Sequence, residues 1–331
     1  MIIISIIIPV RNRISVTEKI LSQLNQQIQK TENSKNIFVI VVDDGSTDGT
    51  SQMVESNFTK FYLIQGDGSL WWTGAINKGM EYAILHFDPD FFVWLNDDLI
   101  LSDNFIYNLV INCNKFKDNP IILGGIVKDF IYENWIVYSG YYQGKPVRNF
   151  DLFELNNSPK LEVEVLSGNI VVIPQKIVNK IGLPNPKILP HHGGDYEYIK
   201  RAIKYGFQAF LSCDIQAKTH FYASDVIRYM PYWMQWYIQP GFLKRLEIIQ
   251  GLTSLKANQN IGVYIQLSKI NKNSKTTYFW EYIFCYICKL VKLLIINFIP
   301  SKYIDSKINH YIHEQKIPDK IANEIVNKRQ K

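Results

Sequence analysis

Runs of consecutive apolar residues, separated by stretches with helical periodicity, dominate the first hundred positions of the chain. Residues 2–10, "IIISIIIPV", form a nearly unbroken β-branched run, the pattern of a strand buried on both faces. Residues 16–30 follow, with Val16, Ile20, Leu24 and Ile28 at helical spacing. Phe38 to Val42 is a second buried strand. "GSTDGTSQMVESN" reads as a turn feeding a helix, with Ser46, Thr47 and Asp48 as capping candidates. "FYLIQ" (61–65) predicts a short strand, "GAINKGMEYAILHF" (74–87) a helix and "DFFVWLNDD" (90–98) the next strand. Repeated β-α-β of this kind predicts an α/β fold with a doubly wound, mostly parallel sheet and helices on both faces. Ligands of such sheets bind beyond the carboxyl ends of the strands. That places "DDGSTD" (43–48) and "NDD" (96–98) on one rim.

The middle of the chain is less regular. "IILGGIV" and "LEVEVLSGNIVVI" read as strands, and "PQKIVNKIGLP" as a short helix ended near Gly182. "DYEYIKRAIKYGF" reads as a helix ended by Gly206, and "QAFLSCDIQAKTHF" as a strand that stops around His220. From about Ser224 aromatic residues crowd the chain, as in "RYMPYWMQWYIQP", and two long helical patterns follow. These changes predict a domain over 1–224, with a donor half of about 1–100 and an acceptor half of about 101–224, and a helical extension over 225–331. No internal repeat of solenoid period is visible.

Composition narrows the class. The 331 residues are 47% hydrophobic and 20% charged, which suits a globular chain with a core, and a net charge of +6 gives little support to a nucleic-acid partner. The four cysteines are too scattered for a disulfide framework, and Cys285 and Cys288, a C-x-x-C within an apolar helical pattern, read as buried free thiols. The apolar start lacks a basic n-region, so a cytoplasmic, thiol-reducing setting is expected.

The polar residues at the strand ends carry the chemistry. Asn96, Asp97 and Asp98 interrupt an apolar run, although an unpaired buried carboxylate is costly. A solvated turn or helix cap is the simplest reading of them alone. Likewise Asp43 and Asp44 read alone as turn residues, Asp195 and Glu197 as first-turn helix acids, Trp71 and Trp72 as core, and His220 as a satisfied histidine. Taken together, the acids converge on one rim and His220 offers a nitrogen ligand. Hard divalent ions such as Mg²⁺ or Mn²⁺ take carboxylate oxygen, typically beside phosphate oxygens.

Residues 2–222, roughly two thirds of the chain, resemble family 2 glycosyltransferases of the GT-A fold. "VVDDGSTDGT" (41–50) is close to the family's "VDDGSTDGT", and "PVRNR" (9–13) resembles its first-strand turn. "LNDD" stands at the D-x-D position, with Asn96 in place of the first Asp. "GGDYEYIKRA" (193–202) resembles the helix start that supplies the catalytic base, with Gly194 where the family has an acid. "WWTGAIN" and the histidine of "KTHFY" are most like a rhamnosyltransferase-type branch. The resemblance implies a nucleotide-diphosphate sugar donor, dTDP- or UDP-linked first, and a saccharide or lipid-linked acceptor in bacterial surface polysaccharide (O-antigen or capsule). It implies a Mg²⁺ or Mn²⁺ ion on Asp98 and His220, and inversion with Asp195 as general base. Pro9, Arg11, Asp43, Asp44, Gly66, Trp72, Asn77, Lys78, Asn96 and Asp97 fall on the nucleotide side, with Asp44 reading the base and Asp43 buttressing it. Ser167, Gly168, Asn169 and Glu197 fall on the acceptor side, Glu197 as an orienting or structural residue.

Two other functions fit parts of the pattern. One is a nucleotidyltransferase, although no Gly-rich, Lys-bearing loop follows the first strand. The other is a glycan-binding or scaffolding protein that keeps the fold without catalysis, a reading that the departures at Asn96 and Gly194 leave open. In the tail, "WEYIFCYICKLVKLLIINFI" (280–299) is strongly apolar, but Lys289 and Lys292 lie near its middle, where a bilayer makes charge expensive. An interfacial helix at the inner face of the cytoplasmic membrane, a packed or oligomer-forming helix, and a span are the three readings.

Overall fold

The computed structural model describes residues 2–32, 34–271 and 278–328. The chain divides into two compact units, Met1–Thr219 and His220–Lys331.

The first unit opens with β1 (Ile4–Val10), α1 (Ile14–Gln29), β2 (Ile37–Asp43), α2 (Thr50–Asn57), β3 (Tyr62–Gln65), α3 (Trp71–Phe87) and β4 (Phe91–Leu95). These give a parallel sheet in the order β4-β1-β2-β3. Ile6, Ile7 and Ile8 are fully buried, because helices cover both faces of the sheet and leave the strand no solvent side. The order of elements continues through β5 (Ile100–Leu101), α4 (Phe105–Lys115), β6 (Ile122–Asp129), β7 (Ile136–Tyr138), β8 (Gly140–Tyr142), β9 (Lys145–Pro146), α5 (Asp151–Leu155), β10 (Lys160–Glu162), β11 (Val165–Leu166) and β12 (Ile170–Pro174). It closes with α6 (Gln175–Ile181), α7 (Gly194–Lys204) and β13 (Ala209–Thr219).

The sheet is mixed rather than wholly parallel. β12 enters antiparallel between β4 and β6, and β13 then runs parallel to β6. The reversal positions the site. Leu95, the last residue of β4, pairs with Ile170, the first of β12, so residues 96–98 and 167–169 leave the sheet side by side. Val10 pairs with Asp43, and Asp43 with Gln65, which brings the ends of β1, β2 and β3 to the same rim. The fold is the α/β GT-A arrangement.

Two sequence expectations change. α3 begins at Trp71, three residues before the predicted start, for a reason given below. The apolar stretch 161–173 is not continuous but is divided among β10, β11 and β12, with β11 joining β8 and β9 in a separate three-stranded sheet.

The second unit is helical: α8 (Ala223–Tyr229), α9 (Tyr232–Ile238), α10 (Phe242–Gly251), α11 (Ile261–Asn271), α12 (Tyr278–Ile296), α13 (Ser301–Glu314) and α14 (Asp319–Asn327). Leu252, Ile261 and Ile265 form a core under Tyr232, Tyr282, Cys285, Tyr286 and Leu290. Cys285 is thus half-buried and packed, whereas Cys288 is exposed. Among the described residues, no single helix is long and apolar enough to cross a membrane.

Candidate active site

Three loops at the rim are tied together by side-chain-to-backbone bonds. Asp44, almost fully buried, accepts the backbone N–H groups of Gly68 (2.9 Å) and Leu70 (3.1 Å) on Oδ1 and that of Trp71 (2.9 Å) on Oδ2. Arg11 lies 3.6 Å from the same carboxylate and donates to the Gly68 carbonyl at 2.5 Å. Asp43 accepts from the Ser46 N–H (2.9 Å) and from the Ser51 hydroxyl. Asp48 accepts the Ile14 N–H at 2.9 Å, which satisfies one of the orphan donors at the start of α1. The sequence expectation gave the Asp44 carboxylate to a nucleobase; in the fold both of its oxygens hold backbone, and Asp44 shapes the loop from Gly66 to Trp71. The same bonds start α3 early and hold Trp71 at φ 56°, a left-handed conformation that a bulky side chain rarely adopts. Gly45, at φ 71°, is required there, because a Cβ would stand 2.9 Å from the Gly68 nitrogen.

The three polar residues after β4 have three different environments. Asn96 accepts from the Trp72 indole N–H at 2.9 Å and donates to Asn169 Oδ1 at 2.7 Å, and Asn169 donates in turn to the Ser167 hydroxyl. A neutral chain thus runs from Trp72 to Ser167. Asp97 is buried, and turns away from that chain to meet Arg13 Nη1 (2.6 Å) and the Thr17 hydroxyl (3.2 Å). Burial pushes its carboxyl up to about 6 despite the Arg13 charge. Asp97 was expected on the nucleotide side; in the fold its oxygens are committed to α1 and the residue before it. Burial acts to lower the Arg13 pKa, but Asp97 and Asp98 outweigh it and hold the guanidinium protonated.

Asp98 differs. Its Oδ2 reaches Arg13 Nη2 at 3.3 Å, while its Oδ1 is buried with no hydrogen-bond partner among the described residues. An orphaned carboxylate oxygen on this rim fits a hard divalent cation. No group of three or more His, Cys, Asp or Glu side chains converges among the described residues. An ion at Asp98 would therefore draw most of its remaining ligands from diphosphate oxygens and water.

Asp195 lies in the first turn of α7. Its Oδ2 accepts the Gly168 N–H at 2.7 Å and its Oδ1 the N–H of Tyr196 at 2.9 Å. Burial raises its carboxyl to about 6, and the two backbone donors oppose the rise. A carboxylate so placed is held in position with its pKa raised, which suits a general base. Gly168 permits the approach, since a Cβ there would stand 2.7 Å from the Trp72 ring. Trp72 therefore touches both the Asn96 chain and the Asp195 loop, and its ring packs edge-on against Trp94 at 5.5 Å. At Gly194 a Cβ would collide with the Thr73 hydroxyl, so the acid of the family pattern has no room in this fold.

Several residues of the first unit are committed to other partners. Glu197 is committed to Arg201 by two bonds (2.8 and 3.2 Å), and Arg201 also donates to the carbonyls of Ile181 and Leu183. That is the structural alternative for Glu197, not the acceptor-orienting one. Asn77 donates to the Pro184 carbonyl (3.0 Å) and Lys78 to that of Gln65 (2.8 Å); both brace loops rather than present free donors. Pro9 lies within β1, paired with Val42. His220 opens the second unit, stacked on Tyr222 at 6.2 Å. Residues not assigned to the site from sequence also stand at the rim: Arg13, Thr17 and His191, whose ring is 5.5 Å from that of Trp71. The Arg13 signal was present, as a second arginine in "PVRNR" opposite two rim acids.

Residues 5–182, just over half of the chain, match the family described as Glycosyl transferase family 2. The chain is 27% identical over 199 residues to an uncharacterized glycosyltransferase of Rickettsia typhi, covering 59% of this chain and 57% of that protein. It is 27% identical over 263 residues to one of Rickettsia prowazekii, covering 74% and 72%. The match thus spans little more than half the length of the first of these relatives. Among solved structures, GalNAc-T7 with UDP, GalNAc and Mn²⁺ superimposes with a TM-score of 0.50 at 12% identity, covering 67% of this chain and 43% of that one, a likeness of fold.

Proposed function

This chain belongs to glycosyl transferase family 2, and on that premise we propose that it transfers a sugar with inversion from a nucleotide-diphosphate donor to a hydroxyl of a saccharide or lipid-linked acceptor. The observation that carries the reading is the Asp195 carboxylate, fixed by two backbone N–H groups and poised at about 6. In the transfer, Asp195 takes the acceptor hydroxyl proton while that oxygen bonds to the anomeric carbon. The bond from the anomeric carbon to the diphosphate breaks on the opposite face, and the nucleoside diphosphate leaves with the electron pair. Asp98, with its unpartnered oxygen, is assigned as the direct protein ligand of a divalent cation. Mg²⁺ or Mn²⁺ there would act as a Lewis acid on the departing diphosphate. Arg11 and the loop that Asp44 shapes are assigned to the nucleotide, and Ser167, Gly168 and Asn169 to the acceptor side.

The finer assignment is a dTDP- or UDP-linked donor, with rhamnose as the leading sugar, used in O-antigen or capsule synthesis. It is supported by the resemblance of "WWTGAIN", whose two tryptophans open α3 and whose Trp72 stands beside Asn96 and Gly168.

A thermal-shift screen of nucleoside diphosphates with and without Mn²⁺ tests the reading, because a ligand that binds the folded state raises its apparent stability. One nucleotide should stand out and need the metal. Turnover of the matching sugar nucleotide should then disappear in Asp195→Asn. If no nucleotide shifts the transition and no donor is consumed with either metal, the enzyme reading fails and the scaffolding reading replaces it.

A further inference from the structure

α12 is apolar on two opposite faces, and its own unit covers one of them. Tyr282, Cys285, Tyr286 and Leu290 pack on the Leu252, Ile261 and Ile265 core, while Leu293 and Ile296 are buried. Lys289 is turned to this covered side, donating to the Gln259 carbonyl at 3.0 Å with its ammonium over the Tyr232 ring. The other face carries Trp280, Phe284, Ile287, Val291 and Leu294, and the line continues to Phe298 beyond the helix end. Their spacing alternates between four and three residues, so they form one stripe along the helix. Every one is exposed, Phe284 at 69% and Phe298 at 88%. A contiguous exposed stripe of large apolar side chains marks an interaction surface.

Charge selects what covers it. Residues 220–331 contain 16 Lys and Arg against 7 Asp and Glu, a net charge of +9, whereas residues 1–219 contain 20 against 23, a net of −3. A second copy docking through α12 would bring two such cationic units together. An anionic lipid surface gains from both the stripe and the basic charge around it. Among the described residues no single helix is long and apolar enough to cross a bilayer, α12 carrying Glu281, Lys289 and Lys292, and the chain bends by 118° between α12 and α13.

We propose that the Trp280–Phe298 stripe of α12 is a docking face for an anionic lipid bilayer. The helix lies in the interface, with its apolar stripe among the acyl chains and its lysine-bearing side held by the protein. The proposal is independent of the sugar-transfer reading, since neither the stripe nor its charge belongs to the Asp195 site.

Co-sedimentation of the full chain with phosphatidylcholine vesicles, with and without phosphatidylglycerol, tests it. Binding should increase about tenfold or more when the anionic lipid is added and fall at high salt. The double variant Phe284→Glu/Ile287→Glu should lose that binding while keeping the wild-type unfolding midpoint, because both side chains point away from the core. The proposal is overturned if the wild type stays in the supernatant with both vesicles, or if the double variant binds as well as wild type. It is also overturned if the wild type is a dimer that the same two substitutions dissociate and no vesicle binds, which would assign the stripe to a second copy.

Discussion

The backbone N–H of Gly168 donates to Asp195 Oδ2 at 2.7 Å, joining two segments 27 residues apart in sequence. The bond fixes one carboxylate oxygen, and the absence of a side chain at Gly168 lets the Trp72 ring close over the same loop. Three things expected of a general base meet here: a fixed position, partial burial and a carboxyl raised to about 6.

A pH dependence follows. The base role proposed for Asp195 requires the ionised carboxylate, so turnover should fall as pH drops below about 6 and level off above it. Because burial raises its pKa in the folded state, its contribution to stability runs the other way. It is full below the ordinary value of 3.8 and lost as pH rises through about 6. Asp195→Asn should lower turnover by about 10²–10⁴-fold and shift the unfolding free energy by about 1 kcal/mol or less. A rate profile flat through this range would remove Asp195 from the chemistry.

Arg13 neutralises the buried Asp97 at 2.6 Å and reaches Asp98 at 3.3 Å. Arg13→Met leaves Asp97 as a desolvated, uncompensated charge, which should cost about 3–5 kcal/mol near neutral pH. With the cation gone the Asp97 carboxyl rises further above 6, so the loss should grow from weakly acidic to alkaline pH. Asp97→Asn in the Arg13→Met background should recover most of it. Chemical denaturation at two pH values measures both effects, and a pH-independent loss would contradict the assignment.

Much of this was legible in the sequence, and the remainder has identifiable causes. The buried run of β1, the acids of "VVDDGSTDGT" and the "NDD" after β4 could be placed on one rim from periodicity alone, because parallel strands send their C-terminal ends to the same edge. Which carboxylate does what was not legible. Asp44 takes three N–H groups from residues 24 to 27 positions later, and Asp97 takes a guanidinium 84 residues earlier. Adjacent acids of identical type thus divide into a loop clamp, a buried ion-pair partner and, at Asp98, a carboxylate with an unused oxygen. That division is set by long-range hydrogen bonds, for which local pattern carries no signal. The insertion of β12 beside β4 was equally hidden, and it is what brings Ser167, Gly168 and Asn169 to Asn96.

Asp98 should carry the metal dependence. Asp98→Ala removes the unpartnered Oδ1, so the Mn²⁺-dependent part of any nucleotide-induced thermal shift should disappear. The metal-independent part should survive, because Arg11 and the Asp44-held loop are untouched. Titration of the metal at fixed nucleotide separates the two parts. An undiminished metal response in the variant would place the ion elsewhere.

The Asn96 amide joins Trp72 to Asn169, with its oxygen accepting and its nitrogen donating. Asn96→Leu leaves the indole N–H and the Asn169 oxygen without these partners in a part-buried setting. A loss of about 1–3 kcal/mol is expected, with reduced turnover because the same chain supports the Gly168 loop. Asn96→Asp should be milder, since a carboxylate still accepts from the indole and a flip of the Asn169 amide restores the second bond. Equal destabilisation by both variants would show that shape, rather than donor and acceptor pattern, matters at this position.

The missing acid at position 194 has a packing cause that a double-mutant cycle can isolate. A Cβ on Gly194 would collide with the Thr73 hydroxyl and stand 3.1 Å from Thr73 Cβ and Cγ2. Thr73 is fully buried and β-branched, so its side chain has little freedom to move aside. Gly194→Ala alone should therefore cost about 1–3 kcal/mol. Thr73→Ala alone should cost little, because the hydroxyl it removes is buried without a hydrogen-bond partner. In the double variant the colliding atoms are gone, and the two changes should be coupled favourably by about 1–2 kcal/mol. A strictly additive cycle would mean that glycine is needed at 194 for its backbone freedom and not for space. Coupling would instead tie the starts of α3 and α7 together at this contact, so that the helix carrying Asp195 is positioned by the helix carrying Trp72.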